Sequence, residues 1–265
     1  MREINDQQLR NIQLEILLEV DKFCCENGIR YSLCGGTLLG AVRHSGYIPW
    51  DDDIDIMMPR PDYERFIAIY KSEINCLVDF SRERGFRETF VKIYRNGTLM
   101  VDELLGREAF GINIDLFPID GVPEHDRMEY VSEILDFKEK IAKYCSFYTQ
   151  VPNRKLWWFI KFSIKRIINF QFKPTLKIKR EFDEKLKSVP FDSSRCAGVI
   201  SGSYGYKEVV DKNVFLHYEE MLFEGHKLMG VTRFDEYLKS IYGDYMTLPP
   251  KCQQCNPHHY KSYIL

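Results

Sequence analysis

No stretch of the sequence approaches the roughly eighteen consecutive apolar residues of a membrane span. Its opening, MREINDQQLRNIQLEILLEV, has no basic segment followed by an apolar run and a small-residue cleavage site. The expectation is a chain made and kept in the cytoplasm. Excess positive charge is missing too: 37 Lys and Arg against 39 Asp and Glu leave a formal charge of −2. That balance is wrong for a protein whose task is to neutralise a nucleic-acid backbone, so no nucleic-acid partner is expected. In a reducing compartment the eight cysteines, adjacent Cys24 and Cys25 included, read as thiols rather than as a disulfide framework. Repeats, low-complexity tracts and Gly/Ser linkers are absent. What the chain does have is apolar and aromatic content, 45% and 14% of 265 residues, which supplies a large core and excludes disorder.

The periodicities predict helices alternating with strands, and hence an α+β fold with a mixed sheet and helices against it. Asn5 reads as an N-cap with Gln8 three residues on, and Leu9, Ile12, Ile16, Val20 and Phe23 share one face before Asn27-Gly28 stops the helix. Ile29 to Cys34 reads as a strand ending at Gly35-Gly36, and TLLGAVRH as a short helix. An acidic strand follows, Pro61 opens the helix PDYERFIAIYKSE, and strands are expected at TFVKIYRN, after the Asn96-Gly97 turn, and at INIDLFPI. From about residue 124 the pattern turns helical, and residues 196–265 mix strand-like and short helical pieces.

The stretch GYIPWDDDIDIMMP places four aspartates within five positions beside apolar residues. In a strand, Asp53 and Asp55 share one face while Ile54 and Ile56 take the other. Two adjacent carboxylates on a core strand repel, and a hard divalent cation such as Mg²⁺ relieves the repulsion. The competing reading is a solvated acidic turn before the helix at Pro61. Gly35-Gly36-Thr37, after a strand and before a helix, is either a plain tight turn or a place where backbone N–H groups approach a phosphate. In GINIDLFPID, Asp115 repeats the hydrophobic-acid-hydrophobic pattern and is the candidate third carboxylate. Asp120 ranks below it as a strand-end or turn residue. Arg43, His44, Lys92 and Arg95 are candidate cations for a phosphorylated substrate.

The run LCGGTLLGAVRHSGYIPWDDDIDIMMPRPDYERF resembles the signature of the LicD family of phosphotransferases, related to the fukutin family. FVKIYRN with nearby Thr98, INIDLFPIDG, LFEGHKL and YLKSIYGDYMTLPP extend the resemblance in order along nearly the whole chain. It implies a nucleotidyltransferase-like fold in which Gly35 and Gly36 hold nucleotide phosphates and Asp53, Asp55 and Asp115 hold Mg²⁺ or Mn²⁺ and carry catalysis. Asp115 either completes the metal shell or takes a proton. The substrate-binding set on this reading is Gly35, Gly36, Thr37, Arg43, His44, Asp52, Lys92 and Arg95. The implied reaction moves phosphocholine from CDP-choline to a hydroxyl of a bacterial cell-surface glycan, lipopolysaccharide or teichoic acid, with release of CMP. Ribitol, glycerol or ethanolamine phosphate as the group transferred, nucleotidyl transfer with release of pyrophosphate, and a non-catalytic scaffold are the alternatives. The gap from Gly36 to Asp53 is longer than in simpler nucleotidyltransferases, though usual for this family, and the tail KCQQCNPHH carries two cysteines where relatives usually have charges.

The expected organisation is a core over 1–150, a basic aromatic helical segment over 151–195, and 196–265 completing the same domain. Cys252, Cys255, His258 and His259 crowd into one short tail without a second ligand pair, so no structural zinc is expected. Between Asn153 and Arg180 nine Lys and Arg, Lys161, Lys165, Lys177 and Lys179 among them, stand without one acid, interleaved with Trp157, Trp158 and several Ile and Phe. An ordinary core-packed helix has that pattern, and so does an interfacial helix drawn to anionic lipid. The second reading predicts peripheral, salt-sensitive membrane contact, in keeping with a lipid-linked acceptor. Flotation with anionic liposomes should then show binding at low salt that falls as salt rises, and no binding at low salt would dismiss it.

Overall fold

The computed structural model describes residues 1–80, 86, 88–102, 107–108, 111–149, 175–256 and 260–265. Strand β1 (Arg2–Ile4) leads into helix α1 (Asp6–Asn27), which opens on a capping box. Asn5 Oδ1 accepts the Gln8 N–H at 2.9 Å and Gln8 Oε1 accepts the Asn5 N–H at 3.2 Å. The buried face is Leu9, Gln13, Ile16, Leu17, Val20 and Cys24. Ile12 and Phe23 lie at its flank, only partly buried. The strand expected over 29–34 shortens to β2 (Ser32–Leu33) because its ends are engaged by helices. The Ile29 N–H bonds the Cys24 carbonyl of α1, and Cys34 is the N-cap of α2 (Gly35–His44). The glycine pair is therefore the first turn of a helix, two residues earlier than the run from Thr37 implied.

The acidic stretch enters strand β3 (Asp55–Pro59), and α3 (Arg60–Ile69) follows with Pro61 in its first turn. This helix stops at Ile69, short of the expected Glu73, because Tyr70 turns extended. Then come β4 (Asn75–Val78), β5 (Val91–Arg95), β6 (Thr98–Asp102), β7 (Arg107–Glu108) and the long β8 (Asn113–Val122). Helices α4 (Arg127–Thr149) and α5 (Thr175–Lys187) precede β9 (Cys196–Gly198) and β10 (Val210–Asp211). The chain closes with β11 (Tyr218–Phe223), β12 (His226–Val231), α6 (Phe234–Tyr242) and β13 (Tyr260–Ile264). The fold is mixed α+β.

Strand β8 is the spine of a seven-stranded sheet. It pairs parallel with β3, antiparallel with β5 through its first half, and antiparallel with β9 through its last residues. Outside these lie β2 on β3, β4 on β5 and β10 on β9. The β11–β12 hairpin docks on β2, where the Val231 N–H reaches Ser32 Oγ at 3.0 Å and the Met229 N–H reaches the Tyr31 hydroxyl at 3.3 Å. A separate sheet, ordered β1-β13-β6-β7, brings the two chain ends together. The alternation along β3 and β8 puts Ile54, Ile56, Ile114 and Leu116 wholly into the core with Ile16, Leu17 and Val20 of α1. A second cluster joins α4 and α5 to the sheet through Val122, Val131, Ile134, Phe182 and Leu186. Among the described residues no helix is long and apolar enough to cross a membrane.

Most of the basic aromatic segment, 151–174, lies outside the described residues. Lys177 and Lys179 fall in α5, and Lys179 is fully buried, donating to the Phe86 carbonyl at 2.6 Å. Lys177 pairs with Glu181 one helical turn on. Asp120, expected at a strand end or turn, is instead inside β8 and 1% exposed. Arg60 clamps it with two hydrogen bonds, Nε to Oδ1 at 2.6 Å and Nη2 to Oδ2 at 2.7 Å, and reaches Asp183 of α5 through Nη1 at 3.2 Å. The pair ties the start of α3 to β8 and α5. Removing one member strands a charge in the core, which costs about 3–5 kcal/mol. Asp120→Ala should lose that much stability in urea unfolding, whereas Glu64→Ala, at the exposed rim of the same network, should lose under about 1 kcal/mol.

Candidate active site

The register of β3, β8 and β5 aligns three charged side chains in one row. Asp55 is the partner of Asp115 across the parallel pair, and Asp115 is the partner of Lys92 across the antiparallel one. Lys92 Nζ donates to Asp115 Oδ1 at 2.5 Å and to Asn113 Oδ1 at 3.0 Å. Side-chain exposure is only 18% for Lys92 and 15% for Asp115, so protein atoms replace most of the water around both. Asp53 precedes β3, in an extended segment rather than the strand itself, but the Asp115 N–H bonds the Ile54 carbonyl and carries the alignment past the strand end. Burial pushes the Asp55 carboxyl well above the ordinary range, and the charges of Asp53 and Asp115 push it further. Asp115 is raised to about 6, again by burial first, with Lys92 opposing. Burial works against the Lys92 ammonium, but Asp115, Glu88 and Asp55 hold its pKa above the usual lysine value.

Helix α2 starts beside this row because Cys34 continues β2, its N–H bonding the Asp55 carbonyl at 2.9 Å. No side chain caps the first turn, which leaves the helix end facing the acids. Gly35 has a φ of +49°, and a Cβ there would lie 3.6 Å from Asp55 Oδ2 and 3.8 Å from the Tyr242 hydroxyl. At Gly36 a Cβ would stand 2.8 Å from Asp51 Oδ2. Thr37, expected to touch substrate, is buried, and its Oγ1 accepts the Asp55 N–H at 2.8 Å, so it fixes the strand. The Asp52 carbonyl is likewise used structurally, accepting from Gln13 of α1 at 2.9 Å.

Three expected cations separate from Lys92. Arg95, three residues on, projects from the other face of β5 and pairs with Glu15 of α1 at 2.9 Å. Arg43 and His44 close the far end of α2, where Arg43 donates Nη1 to the Tyr245 carbonyl at 2.7 Å and Nε to His44 Nε2 at 3.0 Å. Burial, then the Arg43 charge, lowers the His44 pKa. Between the two ends of α2 runs a cavity of about 550 Å³, lined by Gly36, Leu39 and Arg43 of the helix, by Trp50 and Asp51, and by the C-terminal residues Tyr204, Tyr242, Asp244 and Tyr245.

The donor set Asp53, Asp55 and Asp115 fits a hard divalent cation. Its donors would all be carboxylate oxygens, and burial, with the charges of Asp53 and Asp115 behind it, raises the Asp55 pKa, a penalty such an ion would relieve. Among the described residues no three Asp, Glu, His or Cys side chains already stand at ligand spacing, Cys252 and Cys255 included. Both of these cysteines are exposed, and His258 and His259 lie outside the described residues.

Tyr204, Tyr242 and Glu208 come from parts of the chain that sequence reasoning left without a role, apart from the quoted YGDY run that holds Tyr242. Glu208, 2% exposed, accepts from the Tyr237 hydroxyl at 3.2 Å and from the Tyr204 N–H at 3.4 Å. Tyr237 in turn lies 3.2 Å from Cys34 Sγ at the helix cap.

The fold and site together define a mixed α+β protein with a carboxylate row under a glycine-opened helix. A family model described as LicD/FKTN/FKRP, nucleotidyltransferase domain, matches residues 28–150, the stretch that contains the row. The chain is 31% identical over 269 residues to Lipopolysaccharide cholinephosphotransferase LicD of Haemophilus influenzae, covering 99% of this chain and 98% of that protein. It is 30% identical over 135 residues to human Ribitol 5-phosphate transferase FKRP, covering 48% of this chain and 26% of that protein. The chain belongs to the LicD family.

Burial raises the Glu208 carboxyl from 4.5 to about 7, against the opposing hydrogen bonds from Tyr237 and Tyr204. The folded state then keeps this proton longer than the unfolded chain, so stability falls as pH rises through that window. Glu208→Gln cannot ionise. Its stability relative to the parent protein should improve on the order of 3 kcal/mol between pH 4.5 and 7.5, and urea unfolding across that range measures it.

Proposed function

We propose that this protein moves phosphocholine from CDP-choline to a hydroxyl of a bacterial cell-surface glycan, releasing CMP, on a nucleotidyltransferase-like core. The observation that carries the reading is the near end-to-end similarity to a protein named for cholinephosphotransfer, with the acid row and the glycine-opened helix inside the matched family stretch. The helix end and the row pose a physical problem that the reaction answers. The open N–H groups of α2 favour an anion, while Asp51 and Asp55 beside them repel one. A diphosphate fits there only with added positive charge.

Asp53, Asp55 and Asp115 would hold Mg²⁺ or Mn²⁺, which when bound neutralises diphosphate charge. Lys92 fixes the orientation of Asp115 and adds one positive charge to the row. Gly35 and Gly36 let the diphosphate approach the helix end, where any side chain would meet Asp55 or Asp51. The acceptor oxygen attacks the phosphorus that bears choline, the bond to the CMP oxygen breaks in line, and the hydroxyl proton passes to a carboxylate of the row. Thr37 keeps Asp55 in register through its hydrogen bond to the Asp55 N–H.

The partial similarity to a ribitol 5-phosphate transferase favours a second reading in which another phospho-alcohol is transferred. CMP release with Mg²⁺ and a crude envelope glycan, offered CDP-choline, CDP-ethanolamine, CDP-ribitol and CDP-glycerol in turn, separates the two. CDP-choline should be used best, and Asp55→Asn should lower kcat by about a thousandfold or more, on the order of 4 kcal/mol. A folded Asp55→Asn protein with near-normal turnover would refute the metal-site assignment, and pyrophosphate release from a triphosphate would point to nucleotidyl transfer instead.

A further inference from the structure

We infer that the cavity between α2 and the C-terminal tyrosines is the donor-headgroup subsite and takes a quaternary ammonium ion. The inference deepens the proposed reaction and rests on it for the position of the phosphorus. Tyr242 and Gly36 join the two places: a Cβ at Gly35 would lie 3.6 Å from Asp55 Oδ2 and 3.8 Å from the Tyr242 hydroxyl, and Tyr242 and Gly36 both line the cavity. A headgroup joined to the phosphate by two carbons reaches from there to the aromatic wall of the cavity.

That wall is organised in advance. Tyr204 and Tyr242 stand edge to face, 5.4 Å between ring centroids and 77° between planes, with their hydroxyls 2.9 Å apart. Glu208 holds the Tyr204 backbone from below, and Trp50 faces the cavity with His44 set edge-on behind it. A quaternary ammonium has no N–H to donate, so hydrogen bonds cannot recognise it. Ring faces and nearby carboxylates do so instead, and the cavity presents Asp51 and Asp244 beside its rings. Arg43 does not spoil the site. It sits seven residues along the helix from Gly36, about 10 Å, and its guanidinium is tied to the Tyr245 carbonyl and His44.

The test is equilibrium binding of phosphocholine, glycerol phosphate and CMP, each with Mg²⁺, to the parent protein, Trp50→Leu, Tyr204→Leu and Tyr204→Phe. Tyr204 is 41% exposed, so its replacement leaves the core untouched. Phosphocholine should bind the parent at least about tenfold tighter than glycerol phosphate. Trp50→Leu and Tyr204→Leu should each lose about tenfold for phosphocholine, Tyr204→Phe should lose little, and CMP affinity should stay unchanged. Equal binding of the two phospho-alcohols by the parent overturns the inference. So does a matching loss of CMP affinity, which would place the cytosine base in the cavity. Phosphocholine transfer that survives both leucine substitutions intact refutes the subsite and spares the reaction. Selective phosphocholine binding without CMP release from CDP-choline refutes the reaction and spares the subsite.

Discussion

The site depends on one backbone register, the parallel pairing that sets Asp55 of β3 against Asp115 of β8. Strands lie about 4.8 Å apart, and two unit charges at that spacing repel by about 3 kcal/mol at an effective dielectric near 20. The register cannot slip to relieve them, because moving either strand by one residue would turn its own pair, Ile54 and Ile56 or Ile114 and Leu116, out of the core. Burial of the apolar face therefore holds the acids together. Burial first, with the charge of Asp53 behind it, raises the pKa of both Asp55 and Asp115, Asp115 adds to the rise of Asp55, and Lys92 in the same row opposes it.

Distant segments then converge on this row for separate reasons. The β2–β3 ladder places Cys34 beside Asp55, which plants the first turn of α2 over the carboxylates. Strand β9 extends the sheet from β8, and the chain that follows brings Glu208, Tyr237 and Tyr242 back to the same helix end. Arg60 and Asp120 lock the opposite end of β8 to α3 and α5, away from the carboxylate row. The same strand thus carries one carboxylate fully paired for stability and one partly neutralised at the open end.

The parts legible in the sequence were local. The capping box of α1 is written in Asn5 and Gln8, and the alternation of acid and isoleucine announces which faces Asp55 and Asp115 take, while Asp53 falls before the strand. The family signature likewise runs through contiguous motifs. What failed were inferences needing a partner from elsewhere in the chain. Arg95 looked like a companion of Lys92, although an odd spacing in a strand already puts the two on opposite faces. Asp120 carried no local sign of Arg60, sixty residues upstream. Lys179 read as part of a basic surface, yet its amine reaches the Phe86 carbonyl in the interior. The aromatic wall was out of reach for the same reason, since Trp50, Tyr204 and Tyr242 meet only in three dimensions.

Mn²⁺ binding followed by electron paramagnetic resonance, with and without CDP-choline, addresses the central claim most directly, since it reads the carboxylate row without needing the acceptor. Binding to the parent protein that tightens with CDP-choline, and is lost in Asp55→Asn while the fold persists, is the result the proposed metal site predicts. Mn²⁺ binding equal in the parent and in Asp55→Asn, indifferent to the donor, would contradict it.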